Sequence, residues 1–417
     1  MEYSEGIVMK GFFEVKDKPK ISRRKGIAPG TVLDCTSCGL HKTCKSPYMP
    51  VTGQGQMGVL IIAEAPGELE DAQGTQLIGP AGQCLRRSLD KFDVDLDRDC
   101  WKINAVNCRP VGNETPDEIK YKSCWRQMVL PAIQELHPRT IILLGGTALN
   151  QWLTEFWPEK VSISTIRGYC IPDHDLGAWV CPTYHPSYVM RQGQDKYGRA
   201  AKENVAQVIW EQDLYRALNN AGETMPDMLI DNDLYVVSEQ DAVKEMDVLK
   251  AGMMEFDYET TGLKPQRRGH RILCCSICYE AGDSICFPIT PITIPPLKAL
   301  LTNPNIGKMA HNIKFEDIWT SVILECDINN WVWDSMIAAH LSDNRAGTKD
   351  LGFQGLVHFG VKDYWSWTEP FIRGKDEKDA NSFNRMSEAP LEKVMKYCAM
   401  DSLIGYNLAM MQMEKVK

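Results

Sequence analysis

The hydrophobic pattern of the chain switches repeatedly between two periods. VLIIAEAPG (59–67), CWKINAVNCRP (100–110) and RTIILLGG (139–146) hold short apolar runs of strand length. Between them, AGQCLRRSLDKF (81–92) and YKSCWRQMVLPAIQEL (121–136) space their apolar residues as helices do. That alternation predicts an α/β domain with a mostly parallel sheet layered between helices. Near residues 219–233, NNAGETMPDMLIDND, the pattern lapses into Asn, Gly, Asp and Pro, and strand, helix and strand start afresh at LYVVSEQDAVKEMDVLKAG. The expected organisation is a basic tail over 1–28, one domain over 29–222 and a second over 228–417. In the second, strands near 234–237, 253–258, 271–279 and 284–287 come first, and mostly helices follow.

One of those strands raises a question of charge. In MMEFDYETTGL (253–263), Asp257 and Glu259 lie two residues apart, so both carboxylates leave one face while Phe256 and Tyr258 leave the other. Like charges held side by side in an apolar strand call for a cation. Further candidates lie downstream. NIGKMAHNIKFEDIW (305–319) runs from a short apolar strand into a helix carrying Glu316 and Asp317, and LEKVMKYCAMDSLIGYNLAMM (391–411) is a helix with Tyr397 and Asp401 four apart on one face. Phosphodiester hydrolysis uses such sets: two divalent ions about 3.5–4 Å apart make water nucleophilic and take up charge on the leaving oxygen. Mg²⁺ prefers carboxylate oxygens gathered from distant segments.

Composition narrows the classes. The 417-residue chain is 44% apolar and 24% charged, which excludes wholesale disorder and allows two or three globular domains. A net charge of −9 does not advertise a nucleic-acid binder, yet an acidic metal site would itself lower the total. The basic cluster KDKPKISRRK (16–25) reads as a solvated tail able to touch phosphates. The start lacks a signal-peptide pattern, and no apolar run reaches the roughly 18 residues of a membrane helix, so a cytoplasmic protein without membrane partners is expected. Fifteen cysteines then point to metal ligation and buried thiols rather than disulfides.

The acidic segments resemble, in order, the three exonuclease motifs of the DEDD 3′-5′ exonucleases of ribonuclease H-like fold, in the Tyr-containing form found in proofreading domains of family A DNA polymerases. Asp257-Tyr258-Glu259 with TTGL behind it resembles motif one, His311-Asn312 through Glu316 motif two, and Tyr397-x-x-x-Asp401 motif three. The resemblance implies that Asp257, Glu259, Glu316 and Asp401 hold two Mg²⁺ or Mn²⁺ ions, that Tyr397 positions the attacking water, and that Asn312 faces substrate. The family usually has Asp four residues after the Asn, where this chain has Glu316 followed by Asp317. Spacing favours Glu316, and Asp317 stays a rival because a helix turns roughly 100° between them. Asp334 in WDSMIAAHLSDN (333–344) is expected to support the site or cap a helix.

The first half turns on thiols. Cys35 and Cys38 form CTSC, followed by Cys108 in NAVNCRP and Cys124 in YKSCW. This layout resembles the family 4 uracil-DNA glycosylases, whose four cysteines hold a 4Fe–4S cluster. AEAPGELED (63–71), GTQLIGPAGQCL (74–85), INAVNCRP (103–110) and PTYHPSYVMR (182–191) resemble that family's successive motifs. The resemblance implies that Asn104 reads the uracil edge, that His185 stabilises charge on the departing base, and that Glu64 and Glu70 lie where sugar and water bind. Leu77 stands where the family has a Phe that stacks on the flipped base, so apolar contact stays and the π face is lost. A zinc site from Cys35, Cys38, Cys44 and one more is the alternative, with Cys44 otherwise an unligated neighbour. Cys274, Cys275 and Cys278, on an apolar strand, are expected as buried thiols.

Such a pair of domains resembles the front end of certain bacteriophage polymerases. With sixteen residues after Asp401, the expectation is a proofreading subunit acting on single-stranded or frayed 3′ DNA ends. It would be bound to a separate polymerase polypeptide, in a bacterial host's cytoplasm if phage-encoded. The alternatives are a uracil-DNA glycosylase repair enzyme and a non-catalytic scaffold for DNA and polymerase.

Overall fold

The computed structural model describes residues 35, 38–158, 160–193, 204–229, 234–249, 252–280, 283–372 and 382–416. The basic tail, with the 16–25 cluster, lies outside the described residues. The chain divides into two compact units that meet in sequence at Pro226 and Asp227, and both are α/β.

In the first unit, strands β1 (Val59–Ala63), β2 (Cys100–Asn104), β3 (Thr140–Leu144), β4 (Ile171–Asp173) and β5 (Ala178–Thr183) form one sheet in the order β2-β1-β3-β5-β4. All neighbours are parallel except β4 and β5. Every residue of β1 and β3 is buried, as expected where helices cover both faces of a parallel sheet. The sequence pattern did not show β4 and β5: the first is three residues with a central Pro, and the second ends in Cys-Pro-Thr. The helices used below are α1 (Glu68–Gln73), α2 (Pro80–Leu89), α3 (Glu118–Cys124), α4 (Gly146–Leu153) and α5 (Pro186–Gln192). Beyond α3 the helix widens by one turn over Trp125–Val129 and continues as Leu130–Leu136. The wide turn accommodates Pro131, which has no N–H to give to the ladder.

The second unit holds β6 (Leu234–Val236), β7 (Gly252–Thr260), β8 (Ile272–Glu280), β9 (Asp283–Pro288), β10 (Ile306–Ala310) and β11 (Trp331–Asp334), in the order β11-β10-β7-β8-β9-β6. The hairpins β7–β8 and β8–β9 are antiparallel, and the remaining pairs are parallel. Edge strand β11, WVWD, was unexpected, since only the helix after it shows in the pattern. Three helices matter here: α6 (Ile313–Trp319), α7 (Ser335–Ser342) and α8 (Leu391–Lys415). Phe256 and Tyr258 on β7 join Cys275, Ile277, Phe287 and Trp319 in a core on one face. On the other, Cys274, Cys278 and Cys286 pack against α8, whose residues from Cys398 to Tyr406 are all buried. Asp257 and Glu259 leave β7 on this second face, next to α8.

Candidate active sites

The second unit gathers the acidic residues. One carboxylate oxygen each from Asp257, Glu259 and Asp401 lies within 4.8 Å of the others, although Asp401 is 142 residues beyond Glu259 in sequence. The central position of β7 and the packing of α8 across it produce this meeting. Tyr364 Oη donates to Asp401 Oδ1 at 2.5 Å, and Tyr397 also hydrogen-bonds Asp401. The Cys398 thiol reaches Asp257 Oδ2 at 3.6 Å, and the Cys274, Cys286 and Cys398 sulfurs lie within 4.8 Å of one another behind it. Tyr364 could not be found from sequence, because it belongs to no segment with a periodic or acidic signal.

Helix α6 carries Glu316 inward and Asp317 outward. Glu316 is 2% exposed and its Oε2 has no partner, whereas Asp317 is exposed and accepts from Trp331 Nε1 at 3.2 Å. The turn into α6 is held by its backbone. Asn312 adopts φ +90°, and Asp334 accepts from the N–H groups of Asn312 (3.3 Å), Ile313 (3.0 Å) and Ile337 (3.0 Å), so it clamps this turn and caps α7 at once. Glu255 accepts from the N–H of His311 just before it. Glu255 shares the face of Asp257, and nothing in the sequence sets it apart from its neighbours. It is 1% exposed, its Oε2 has no partner, and a Cβ on Gly405 would come within 2.2 Å of its Oε1, so glycine at 405 leaves room for this side chain as it lies.

These acids repel one another in poor solvent. Burial raises the carboxyls of Glu255, Glu259, Glu316 and Asp401 well above the usual range, and neighbouring carboxylates push them further. Asp257, partly exposed and hydrogen-bonded by Cys398, rises by burial to about 6. Unpartnered buried oxygens and mutually elevated acids form a donor set suited to hard divalent cations. A stability consequence follows. Because the folded acids hold protons that the unfolded chain releases near pH 4, the metal-free unit loses stability as pH rises from about 4, through about 6 where Asp257 ionises, and onward as the more strongly raised acids follow. The melting temperature measured in chelator should fall across that window, less steeply in Asp257→Asn, and Mg²⁺ should raise it more at pH 8 than at pH 5.

In the first unit, the chemistry-bearing residues sit at the carboxyl ends of adjacent parallel strands, where open α/β sheets bind ligands. Glu64 follows β1, Asn104 ends β2, Gly145 and Thr147 follow β3, and His185 follows β5. Asn104 is 2% exposed and its Nδ2 has no partner, while Asn107 clamps its backbone from both sides, donating to its C=O at 2.8 Å and accepting from its N–H at 3.1 Å. His185 caps α5: its Nδ1 accepts from Ser187 N–H at 3.2 Å, which leaves the proton of the neutral ring on Nε2. Burial and then Arg191 lower its pKa to about 4. Gly145, at φ +90°, lets the ring in, since a Cβ there would meet His185 Cβ at 3.0 Å. Glu64 hydrogen-bonds Thr147, and burial raises its carboxyl. Glu70 accepts from Gly79 N–H at 2.9 Å and so braces the loop that carries Leu77, which is buried at φ +54°.

Five thiols gather beside this sheet. Cys108 and Cys124 are buried with Leu40, Val106 and Tyr121, and Cys38 and Cys44 pack against them. Cys124 is in hydrogen-bond contact with Cys35 and near Cys38, and Cys108 is in contact with Cys44 and near Cys38. Burial holds the Cys108 thiol up at about 12, and Tyr48 N–H donates to its sulfur at 3.3 Å. Among the described residues, no three of the Cys35, Cys38, Cys108 and Cys124 sulfurs gather within 4.8 Å of one another. Soft donors and an apolar wall with an N–H···S contact from Tyr48 suit an iron–sulfur cluster. Cys274, Cys275 and Cys278 are fully buried.

Comparison with known proteins divides the chain at the same place. Residues 50–212 match the uracil DNA glycosylase superfamily, and residues 236–416 match a 3′-5′ exonuclease family. The type-4 uracil-DNA glycosylase of Thermotoga maritima is 34% identical over 176 residues, which are 42% of this chain and 87% of that protein. A DNA polymerase of Bacillus phage SP01 is 23% identical over 364 residues, 79% of this chain and 37% of the polymerase. Among solved structures, Escherichia coli RNase D matches at 14% identity and a TM-score of 0.31, over 44% of each chain. Among the described residues, no helix is long and apolar enough to cross a membrane.

Proposed function

Because the first half of this chain belongs to the type-4 uracil-DNA glycosylases and the second is a 3′-5′ exonuclease domain, we propose that it edits DNA for a polymerase: the second unit trims 3′ ends and the first recognises uracil. The observation that carries this reading is the convergence of Asp257, Glu259 and Asp401 oxygens within 4.8 Å. Mg²⁺ or Mn²⁺ bound there would supply the charge that lowers the barrier to hydrolysis. Asp257, Glu259, Glu316 and Asp401 would hold the ions, and Asp317 faces away from them. Tyr397, tied to Asp401, orients the attacking water, while Tyr364 keeps Asp401 in its rotamer. Asp334 sets the position of Glu316 by fixing the turn before it.

In the first unit, Asn104 presents an unsatisfied amide N–H pair, matched to a carbonyl oxygen of a flipped uracil. His185 stays neutral near pH 7 and offers its Nε2–H to charge that develops on the departing base. Glu64 orients the water. The thiols of Cys35, Cys38, Cys108 and Cys124 would hold a 4Fe–4S cluster, which would tie the segment before β1 to α3. The polymerase served is proposed to act at a bacterial replication fork, in the cytoplasm, and similarity to the phage polymerase supports that reading.

One assay tests both units. The full chain with Mg²⁺ is given a primer with a 3′ mismatch and, separately, a uracil-containing oligonucleotide followed by alkali. Shortening of the primer one nucleotide at a time, blocked by chelator, is expected. Alkali-labile scission only at uracil is expected from the second substrate and should survive chelation. An intact primer at all Mg²⁺ and Mn²⁺ concentrations would sink the editing role.

A further inference from the structure

The fifth thiol of the cysteine cluster stands out because its position is fixed. Cys44 sits in the short segment that follows Leu40–Lys42, and the residues just after it are anchored to two other segments. Asp71, buried at 2% exposure, accepts from Lys45 N–H at 2.9 Å and from Ser46 N–H at 2.9 Å. Beyond, Met49 N–H donates to Asn107 C=O at 2.9 Å, and Tyr48 N–H donates to the Cys108 sulfur. The segment is thus bolted to α1 on one side and to the Cys108 segment on the other. Cys44 is held in hydrogen-bond contact with Cys108, and its sulfur also faces the N–H of Arg109. Both sulfurs therefore have a backbone N–H at hand, the kind of contact that stabilises a cluster-bound thiolate. Cys44 is partly exposed, whereas Cys108 is buried at 4%.

We propose that Cys44 is a reserve ligand that can replace Cys108 on the iron–sulfur cluster. The proposal rests on the reading that the other four thiols hold such a cluster. In the exchange the iron–sulfur bond to Cys108 breaks and one to Cys44 forms. The Cys44 proton passes to the Cys108 sulfur, and no electron changes hands. The contact between the two sulfurs means that the swap needs side-chain rotation and little backbone movement. The cluster then survives the loss or oxidation of one ligand.

Alanine replacements in the full chain test this, since a serine oxygen could itself bind iron. Iron per chain and the visible absorption of the purified protein should be unchanged in Cys44→Ala, retained in Cys108→Ala, and lost in the double variant. Loss of iron from Cys108→Ala equal to that from the double variant overturns the proposal, as does retention in the double variant. An unmodified chain with neither iron nor visible absorption would instead remove the cluster reading beneath it. A second measurement keeps the primary ligands intact. Bleaching by an iron chelator should run several-fold faster in Cys44→Ala than in the unmodified chain, and equal rates count against a reserve role.

Discussion

Asp257→Ala in the full chain is expected to abolish primer shortening, with a fall of at least about 10³-fold, equivalent to about 4 kcal/mol of lost transition-state stabilisation. The variant should fold and bind primer as before, because removing one acid relieves repulsion among Asp257, Glu259, Glu316 and Asp401 rather than opening the core. Single-turnover assays at saturating Mg²⁺ and Mn²⁺ check the rate, and melting in chelator checks the fold. Asp317→Ala makes the matched comparison. Its carboxylate is exposed and bonded to Trp331, so its loss should change the rate by less than about threefold, within surface-substitution effects. An inversion of these two results would reassign the centre to the other face of α6.

The second large effect is expected at uracil. His185→Ala should lower excision by about 10²–10³-fold, the usual cost of removing one donor aimed at developing negative charge. The ring is held neutral, with its pKa lowered to about 4, so the dependence on His185 should be the same at every pH between 5 and 8. A protonated ring acting as an acid would instead show activity falling as pH rises through the ordinary histidine range near 6.5. Asn104→Asp is the companion, since a carboxylate replaces the buried N–H pair that lies unpartnered. Leu77→Phe should move excision the other way, by about 5- to 150-fold for a stacking gain of about 1–3 kcal/mol. No excision by either the unmodified chain or Leu77→Phe would leave the first unit as a DNA-holding module.

Much of the molecule was legible one residue at a time. Strand β1 shows as five consecutive apolar residues because a parallel strand is covered on both faces. The placement of Asp257 and Glu259 on one face of β7 follows from the period of two, and that of Tyr397 with Asp401 from the helical repeat. Other features had no local signal. β4 is too short and too rich in Pro to stand out, and β11 reads as part of the following helix. Glu255 is acidic within an apolar strand like its neighbours, yet nothing in the sequence shows that Gly405 leaves it room.

By itself, then, the order of residues determined which side chains share an element face, where one folding unit gives way to the next, and which donor types each half can offer. Only the tertiary structure decided that Glu316 turns inward while Asp317 meets solvent, that Tyr364 holds Asp401, and that Cys44 lies against Cys108. The reason is the range of the forces. Periodicity is set within a few residues by backbone geometry, whereas these meetings depend on how α6, α8 and the Cys108 segment pack against their sheets, and contacts between segments far apart in sequence settle that packing.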